Sequence, residues 1–113
     1  MIDLNRIEHI YMYPSVTDMR LGIFGLKKKI VAIESEIKTN SLYLFLGTLR
    51  NQIKIIHIDE GSTWLYQNKL NKGKFIWPSI NDKTEINKEQ LTYIVSGISQ
   101  IKSIGCQKNL ALF

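Results

Sequence analysis

Residues 41–70 have the sequence SLYLFLGTLRNQIKIIHIDEGSTWLYQNKL, in which three runs of strand-forming residues are separated by turn residues. The first run, 42–46, is apolar at every position, as expected of a central strand that is covered on both faces. The second run, 52–58, carries isoleucine on both faces, and the third run covers 63–70. Because the connections between these runs are short, neighbouring strands are expected to be antiparallel. The stretch therefore predicts a β-meander.

Further strands are predicted on either side of this meander. Ile7–Tyr13 mixes β-branched, aromatic and polar residues and stops at Pro14, which cannot donate to a strand ladder. Lys74–Trp77 follows a turn at 71–73 and ends at Pro78, whereas 79–86 is polar and typical of a loop. The sequence thus predicts about four to five antiparallel strands.

Two helices are predicted, one after the first strand and one near the C-terminus. Thr17 or Asp18 can accept hydrogen bonds from a first helical turn, so either residue is a candidate N-cap of a long helix. The apolar face of this helix recurs at offsets of three and four and comprises Ile23, Leu26, Ile30, Ile33 and Ile37. Asn87 and Gln90 have the spacing of a capping box at the start of a shorter helix. The apolar face of that helix comprises Leu91, Ile94, Val95 and Ile98.

These elements predict an α+β fold in which one long helix packs on an antiparallel β-meander and a shorter helix follows it. The chain has 113 residues, the length of one domain, so 1–113 is predicted to be a single domain with 99–113 as a C-terminal extension. The composition, 44% hydrophobic and 22% charged, is typical of a soluble globular protein.

The charge and cysteine content restrict the classes of function. A net charge of +5 is compatible with an anionic partner, and one cysteine, Cys106, excludes an intrachain disulfide. The first residues lack the pattern of a secretory leader, and no window approaches the roughly 20 apolar residues of a membrane span. We therefore expect a cytoplasmic protein that makes no membrane contact.

Catalytic and metal-binding roles are not indicated. A two-metal nuclease needs converging carboxylates, and the candidates Asp18, Asp59 and Glu60 are residue types that helix caps and hairpin turns select anyway. One cysteine and two histidines cannot form a four-ligand zinc site, and no phosphate-binding glycine motif occurs. We expect no catalytic residue, no metal, no cofactor and no small-molecule substrate, and we interpret His57 as a structural histidine of a strand.

Several residues occur in the order of a known pattern: Thr17-Asp18-Met19-Arg20, Gly22, Gly25-Leu26, Leu44-Phe45, Lys54-Ile55, Asp59, Leu65, Leu70 and Gly73-x-Phe75-x-Trp77-Pro78. In this order they resemble the TnpB-type accessory proteins, encoded by the second open reading frame, of the insertion-sequence-sixty-six family of bacterial transposons. The resemblance implies a non-catalytic role in DNA transposition, beside a separate transposase that cuts the strands. The partners that it implies are DNA and the transposase subunits of the same element. Where the family has several arginines after the Leu-Phe strand, residues 46–52 keep only Arg50.

Two sets of residues are candidates for binding. The cations are interpreted as nucleic-acid contacts: Arg20, Arg50, Lys54, Lys69, Lys72 and Lys74. The interleaved aromatic residues are candidates for stacking on unpaired bases or for binding a partner protein: Trp64, Tyr66, Phe75 and Trp77. Two functions follow, an accessory protein that contacts DNA and an adaptor that binds the transposase without touching DNA. A structural interpretation also stays open, in which the rings fill the core and the lysines solubilise strand edges.

Overall fold

The computed structural model describes residues 3–34, 36–77 and 81–96, whose strands form a five-stranded sheet. In chain order the elements are a 3-10 turn at Leu4–Arg6, β1 (His9–Met12), α1 (Ile23–Ile33), β2 (Ser41–Leu46), β3 (Gln52–Asp59), β4 (Ser62–Lys69), β5 (Thr84–Glu85) and α2 (Lys88–Val95). The strands lie in the order β4-β3-β2-β1-β5. The predicted α+β fold is confirmed, with an α1 of 11 residues and a shorter α2 of 8 residues.

The strand pairing confirms the meander and corrects one neighbouring pair. β2, β3 and β4 pair antiparallel, as the short connections predicted. β1 and β2 are parallel, with Ile10 opposite Leu42, so the sheet is mixed rather than wholly antiparallel. The reason is α1, because a chain that crosses the sheet as a helix between two neighbouring strands enters the second strand in the same direction.

The fifth strand lies elsewhere than predicted. Lys74–Trp77 does not form a strand, and the Phe75 ring inserts into the core, where it is only 4% exposed. Thr84–Glu85, in the segment expected to be a loop, pairs antiparallel with β1 instead. In 74–77, burial of the Phe75 ring outweighs the strand propensity of its neighbours. The two-residue β5 forms because it pairs with β1, and its own sequence does not favour a strand.

The start of α1 differs from the prediction. Its N-cap is Gly22, which offers no side-chain acceptor. The backbone of Thr17 forms an isolated bridge with Gly47, and Asp18 binds Arg20, so neither predicted cap reaches the helix. Both candidates therefore serve the connection between β1 and α1.

The apolar face of α1 is also narrower than its spacing suggested. Leu26 and Ile30 are its buried residues, whereas Ile23 and Ile33 are exposed. The helix ends at Ile33, so Ile37 lies beyond it, although its side chain still packs against the core below α1. A short helix that crosses a twisted sheet buries only the turn that faces it.

The capping box of α2 is confirmed. Asn87 Oδ1 accepts from the Gln90 N–H and Gln90 Oε1 accepts from the Asn87 N–H, both at 2.8 Å. Leu91, Ile94 and Val95 are buried, as predicted. The predicted apolar residue Ile98 and the extension 99–113 lie outside the described residues.

Both faces of the sheet are covered, as the apolar sequence of β2 predicted. The core on the α2 side is formed mainly by Met12, Leu42, Leu44, Leu46, Ile53, Ile55, Phe75, Leu91 and Ile94. The core on the α1 side is formed by Tyr11, Tyr13, Leu26, Ile30, Tyr43, Phe45, Ile56 and Ile58. Alternate residues of β2 thus enter opposite cores.

Candidate nucleic-acid interface

Three connections meet at the edge of the sheet where β1, β2 and β4 end. β1 and β2 are parallel, and β4 has the same direction because β3 is antiparallel to both of its neighbours. The connections that follow these strands are 13–22, 47–51 and 70–77. Ligands commonly bind beyond the carboxyl ends of parallel strands. This edge is named the basic end, for its residues Arg20, Arg50, Lys69, Lys72 and Lys74.

Backbone hydrogen bonds hold the turn between β2 and β3. The Gly47 N–H donates to the Gln52 carbonyl and the Arg50 N–H donates to the Gly47 carbonyl, both at 2.9 Å. Arg50 has a φ of 64°, in the left-handed region that is uncommon for a side-chain-bearing residue. Its carbonyl accepts from the Phe75 N–H at 2.7 Å, which joins the 70–77 connection to the turn. The exposed Arg50 side chain is therefore carried by a tightly bonded backbone.

A cleft of about 390 Å³ opens between the connection that follows β1 and this turn. Arg20 and Lys69 contribute cations to its lining, and Thr48, Asn51 and Gln52 contribute neutral polar groups. Among the described residues that line it, Asp18 is the one carboxylate. The cleft therefore offers an anion both cations and hydrogen-bond donors.

Asp18 and Arg20 form an exposed ion pair at the rim of the cleft. Arg20 Nη2 donates to Asp18 Oδ2 at 2.8 Å and Nε donates to Oδ1 at 3.0 Å. Hydrogen bonds from the side chain and the backbone N–H of Arg20 lower the pKa of Asp18 to about 2. The carboxylate in turn raises the pKa of the Arg20 guanidinium. Asp18 thus orients Arg20 and partly neutralises its charge.

Lys54 differs from the other five predicted contact cations. It is 6% exposed, and its Nζ donates to the Leu21 carbonyl at 2.8 Å. The ammonium therefore joins β3 to the connection before α1, and burial keeps it from the surface. The other five side chains are exposed, so the basic end does not include Lys54.

The four predicted aromatic contacts are divided between the core and the surface. Phe75 is buried, and Trp77 packs against the same core while its Nε1 donates to the Tyr13 carbonyl at 3.0 Å. Trp64 is 50% exposed, and Tyr66 is partly exposed on the same strand. Phe75 and Trp77 thus have structural partners, while Trp64 and Tyr66 keep ring surface that faces solvent.

An exposed apolar surface on α1, named the α1 outer surface, was not predicted from the sequence. Phe24 is 77% exposed and Val31 is more than half exposed. With Lys27 and Lys28 they line a groove of about 510 Å³, in which the Lys28 Nζ lies 5.4 Å from the centroid of the Phe24 ring. Phe24 and Val31 are seven residues apart, and this spacing could have predicted that they share a face of α1.

Neither a metal site nor a membrane span was found in the part of the chain that the structure describes. Residues 3–34, 36–77 and 81–96 contain no group of three or more histidine, cysteine, aspartate or glutamate side chains placed to hold a metal ion. No helix within those ranges combines the length and apolarity that crossing a membrane requires.

Comparisons with known proteins found one family and one curated relative that this chain resembles. A family model described as "IS66 Orf2 like protein" matches residues 8–104, a range that includes every element from β1 to α2. "Uncharacterized protein y4hO" of Sinorhizobium fredii is 32% identical over 87 residues, which cover 73% of each chain. No solved structure matches.

Proposed function

The chain belongs to the IS66 Orf2-like family, whose members are accessory proteins of transposition, and we propose that it acts there by contacting DNA through the basic end. The observation that supports this function is the convergence of five exposed cations on one edge of the sheet, four from the three connections and Lys69 from the end of β4. Among the described residues that line the cleft at this edge, Asp18 is the one carboxylate beside Arg20 and Lys69.

The chemistry of the basic end suits phosphate groups. Arginine and lysine that neutralise backbone phosphates release condensed counterions, so affinity falls steeply with salt and does not depend on sequence. Arg20 and Arg50 each present a planar guanidinium that can bind a phosphate with two hydrogen bonds, although Arg20 shares its donors with Asp18. The proposed contact therefore positions the protein on DNA without reading bases.

A salt series on duplex DNA with two matched variants tests this proposal. The first variant replaces Arg20, Arg50, Lys69 and Lys72 with alanine. The second replaces four exposed cations elsewhere, Arg6, Lys28, Lys29 and Lys88. Each variant lowers the net charge from +5 to +1, so the pair separates location from overall charge.

We expect the first variant to bind duplex DNA more weakly than the original protein. The magnitude of its slope of log K against log salt should be smaller by up to about 3 to 4. The second variant is expected to keep most of its affinity. An equal loss of duplex affinity in both variants would mean that binding depends only on net charge. Unchanged affinity in the first variant would contradict a DNA contact at the basic end.

A second candidate function is an adaptor that docks on the transposase without touching DNA. The α1 outer surface favours it, because Phe24 is 77% exposed and packs in neither core. The neighbouring cations Lys27, Lys28 and Lys29, with no acidic residue in α1, suit an acidic and apolar segment of that partner. Two copies of α1 would bring like charges together, which disfavours self-association through this surface.

Binding to the purified transposase of the same element, measured in high salt, tests the adaptor. Phe24→Ser is expected to abolish an interaction based on apolar burial, while Arg50→Ala leaves it intact. Loss of binding in Arg50→Ala with retention in Phe24→Ser would contradict the adaptor surface.

A further inference from the structure

Three aromatic rings form a ladder on β3 and β4. Trp64 and Tyr66 are two residues apart on β4 and therefore share a face, with centroids 6.5 Å apart and planes inclined by 18°. His57 on β3 lies opposite Trp64, and its ring centroid is 6.3 Å from that of Tyr66. These three residues are named the ring ladder.

The outer part of the ring ladder does not belong to the packed interior. Trp64 is 50% exposed and lies outside both cores, whereas His57, opposite it on β3, is half-buried. Desolvation by burial lowers the pKa of His57. Tyr66 packs against the core on the α2 side and joins the ladder to the body of the protein. The ladder is thus a firmly seated aromatic surface.

The ring ladder is continuous with the basic end. The connection 70–77 carries Lys72 and Lys74 and packs, like Tyr66, against the core on the α2 side. At the opposite end of the ladder, Asp59 ends β3 and Glu60 lies in the turn that follows, and both carboxylates repel phosphates. A nucleic-acid strand on this face would therefore place its phosphates toward Lys72 and Lys74 and its last few bases on the ladder.

We propose that the ring ladder stacks the unpaired bases of a short single-stranded DNA segment whose phosphates lie on the basic end. This inference rests on the DNA contact proposed above and specifies the form of DNA. Every base has a π-face, so aromatic stacking binds single strands with little sequence preference. In a duplex those faces are already covered by neighbouring base pairs, so the rings add affinity only where bases are unpaired.

Binding of the full chain to a labelled oligothymidylate and to a blunt duplex, at low salt, tests the inference. Trp64→Leu keeps an apolar side chain on the strand and removes the π-face, whereas Trp64→Phe keeps a ring. We expect Trp64→Leu to weaken single-strand binding about 5- to 100-fold, with duplex binding unchanged. Trp64→Phe is expected to retain most of the single-strand affinity of the original protein. Tyr93→Leu, which removes a 49% exposed ring on α2, is the matched control and is expected to change neither affinity.

Tryptophan emission of the unmodified protein provides a measurement that needs no variant. The chain has two tryptophans, and Trp77 donates its indole N–H to a backbone carbonyl, so added oligothymidylate should quench Trp64 selectively. Equal single-strand and duplex affinity, with no effect of Trp64→Leu and no quenching, would overturn the ring ladder while leaving the basic end in place. Absence of binding to both DNAs near 50 mM salt would overturn both proposals.

Discussion

The ammonium of Lys54 donates to the carbonyl of Leu21 at 2.8 Å, across the junction between β3 and the connection that leads into α1. The side chain is buried, and its charge also helps to lower the pKa of Asp18. A cation that the sequence assigned to DNA contact thus holds two structural segments together.

Lys54→Met is expected to lower the free energy of unfolding by about 1–3 kcal/mol. Methionine keeps an apolar stem in the same space but leaves the Leu21 carbonyl without its charged donor. Urea unfolding followed by circular dichroism measures the effect. Lys69→Met, at an exposed position, is the control and should stay within about 0.5 kcal/mol of the original protein. Equal stability of the two variants would contradict a structural role for Lys54.

Gly47→Ala is expected to destabilise the protein by about 1–3 kcal/mol, because a Cβ there would lie 2.6 Å from Met19 Cγ and 3.3 Å from the Gln52 carbonyl oxygen. Gly25→Ala provides the comparison, since its new Cβ meets chiefly the terminal methyl of Leu21 and the helix gains about 1 kcal/mol of propensity. In thermal unfolding, the melting temperature of Gly25→Ala should therefore be well above that of Gly47→Ala. The reverse ranking would show that the cleft wall tolerates a larger residue than its geometry implies.

Asp18 is expected to titrate near pH 2 in the folded protein, because Arg20 donates to its carboxylate. A folded-state pKa below the ordinary 3.8 means that the pair stabilises the fold above about pH 4 and that this contribution is lost as the pH falls through 2. Carboxyl carbon shifts in NMR follow the titration directly. Arg20→Gln should raise the pKa of Asp18 toward 3.8, and an unaltered titration in that variant would exclude Arg20 as the cause.

Asn87→Ala is expected to cost about 1 kcal/mol, because the side chain of Asn87 accepts from the Gln90 N–H at the start of α2. Asn87→Ser keeps an acceptor at the N-cap and should recover most of that loss. Chemical denaturation compares the two variants. If serine is as destabilising as alanine, the effect comes from some contact other than the cap.

Duplex affinity should rise a few-fold in Asp18→Asn, because the change removes the carboxylate that lines the cleft and releases the Arg20 donors. The gain should shrink as salt increases. Filter binding or fluorescence anisotropy over a salt series measures both effects. Weaker binding in this variant would mean that Asp18 helps by orienting Arg20 more than it hinders by its charge.

The local parts of the fold were predictable because they depend on neighbours in the chain. The two-residue period of the side chains along 41–70 and the short turns within it determine the β2–β4 meander. The spacing of Asn87 and Gln90 determines where α2 begins. The apolar run of β2 likewise predicted burial on both faces. These features need only side-chain periodicity and turn chemistry.

The candidate site was predictable only in part. Its exposed cations were identified from composition and order, but alternation alone could not show that the Lys54 ammonium meets a backbone carbonyl. The same limit applied to the rings, because Phe75 and Trp77 compete successfully for core space while Trp64 is left half exposed. Whether an aromatic side chain is buried or exposed depends on the segments that pack against it, and these are distant in the sequence.

By itself, the sequence determined the α+β class, the meander and the capped second helix, since these follow from residues close in the chain. Only the tertiary structure decided that β1 joins β2 in parallel, that Thr84–Glu85 completes the sheet, and that three connections meet at the basic end. Those outcomes depend on the crossover of α1 and on pairing between residues distant in the chain. Their free energy comes from surfaces buried together, which no single segment encodes.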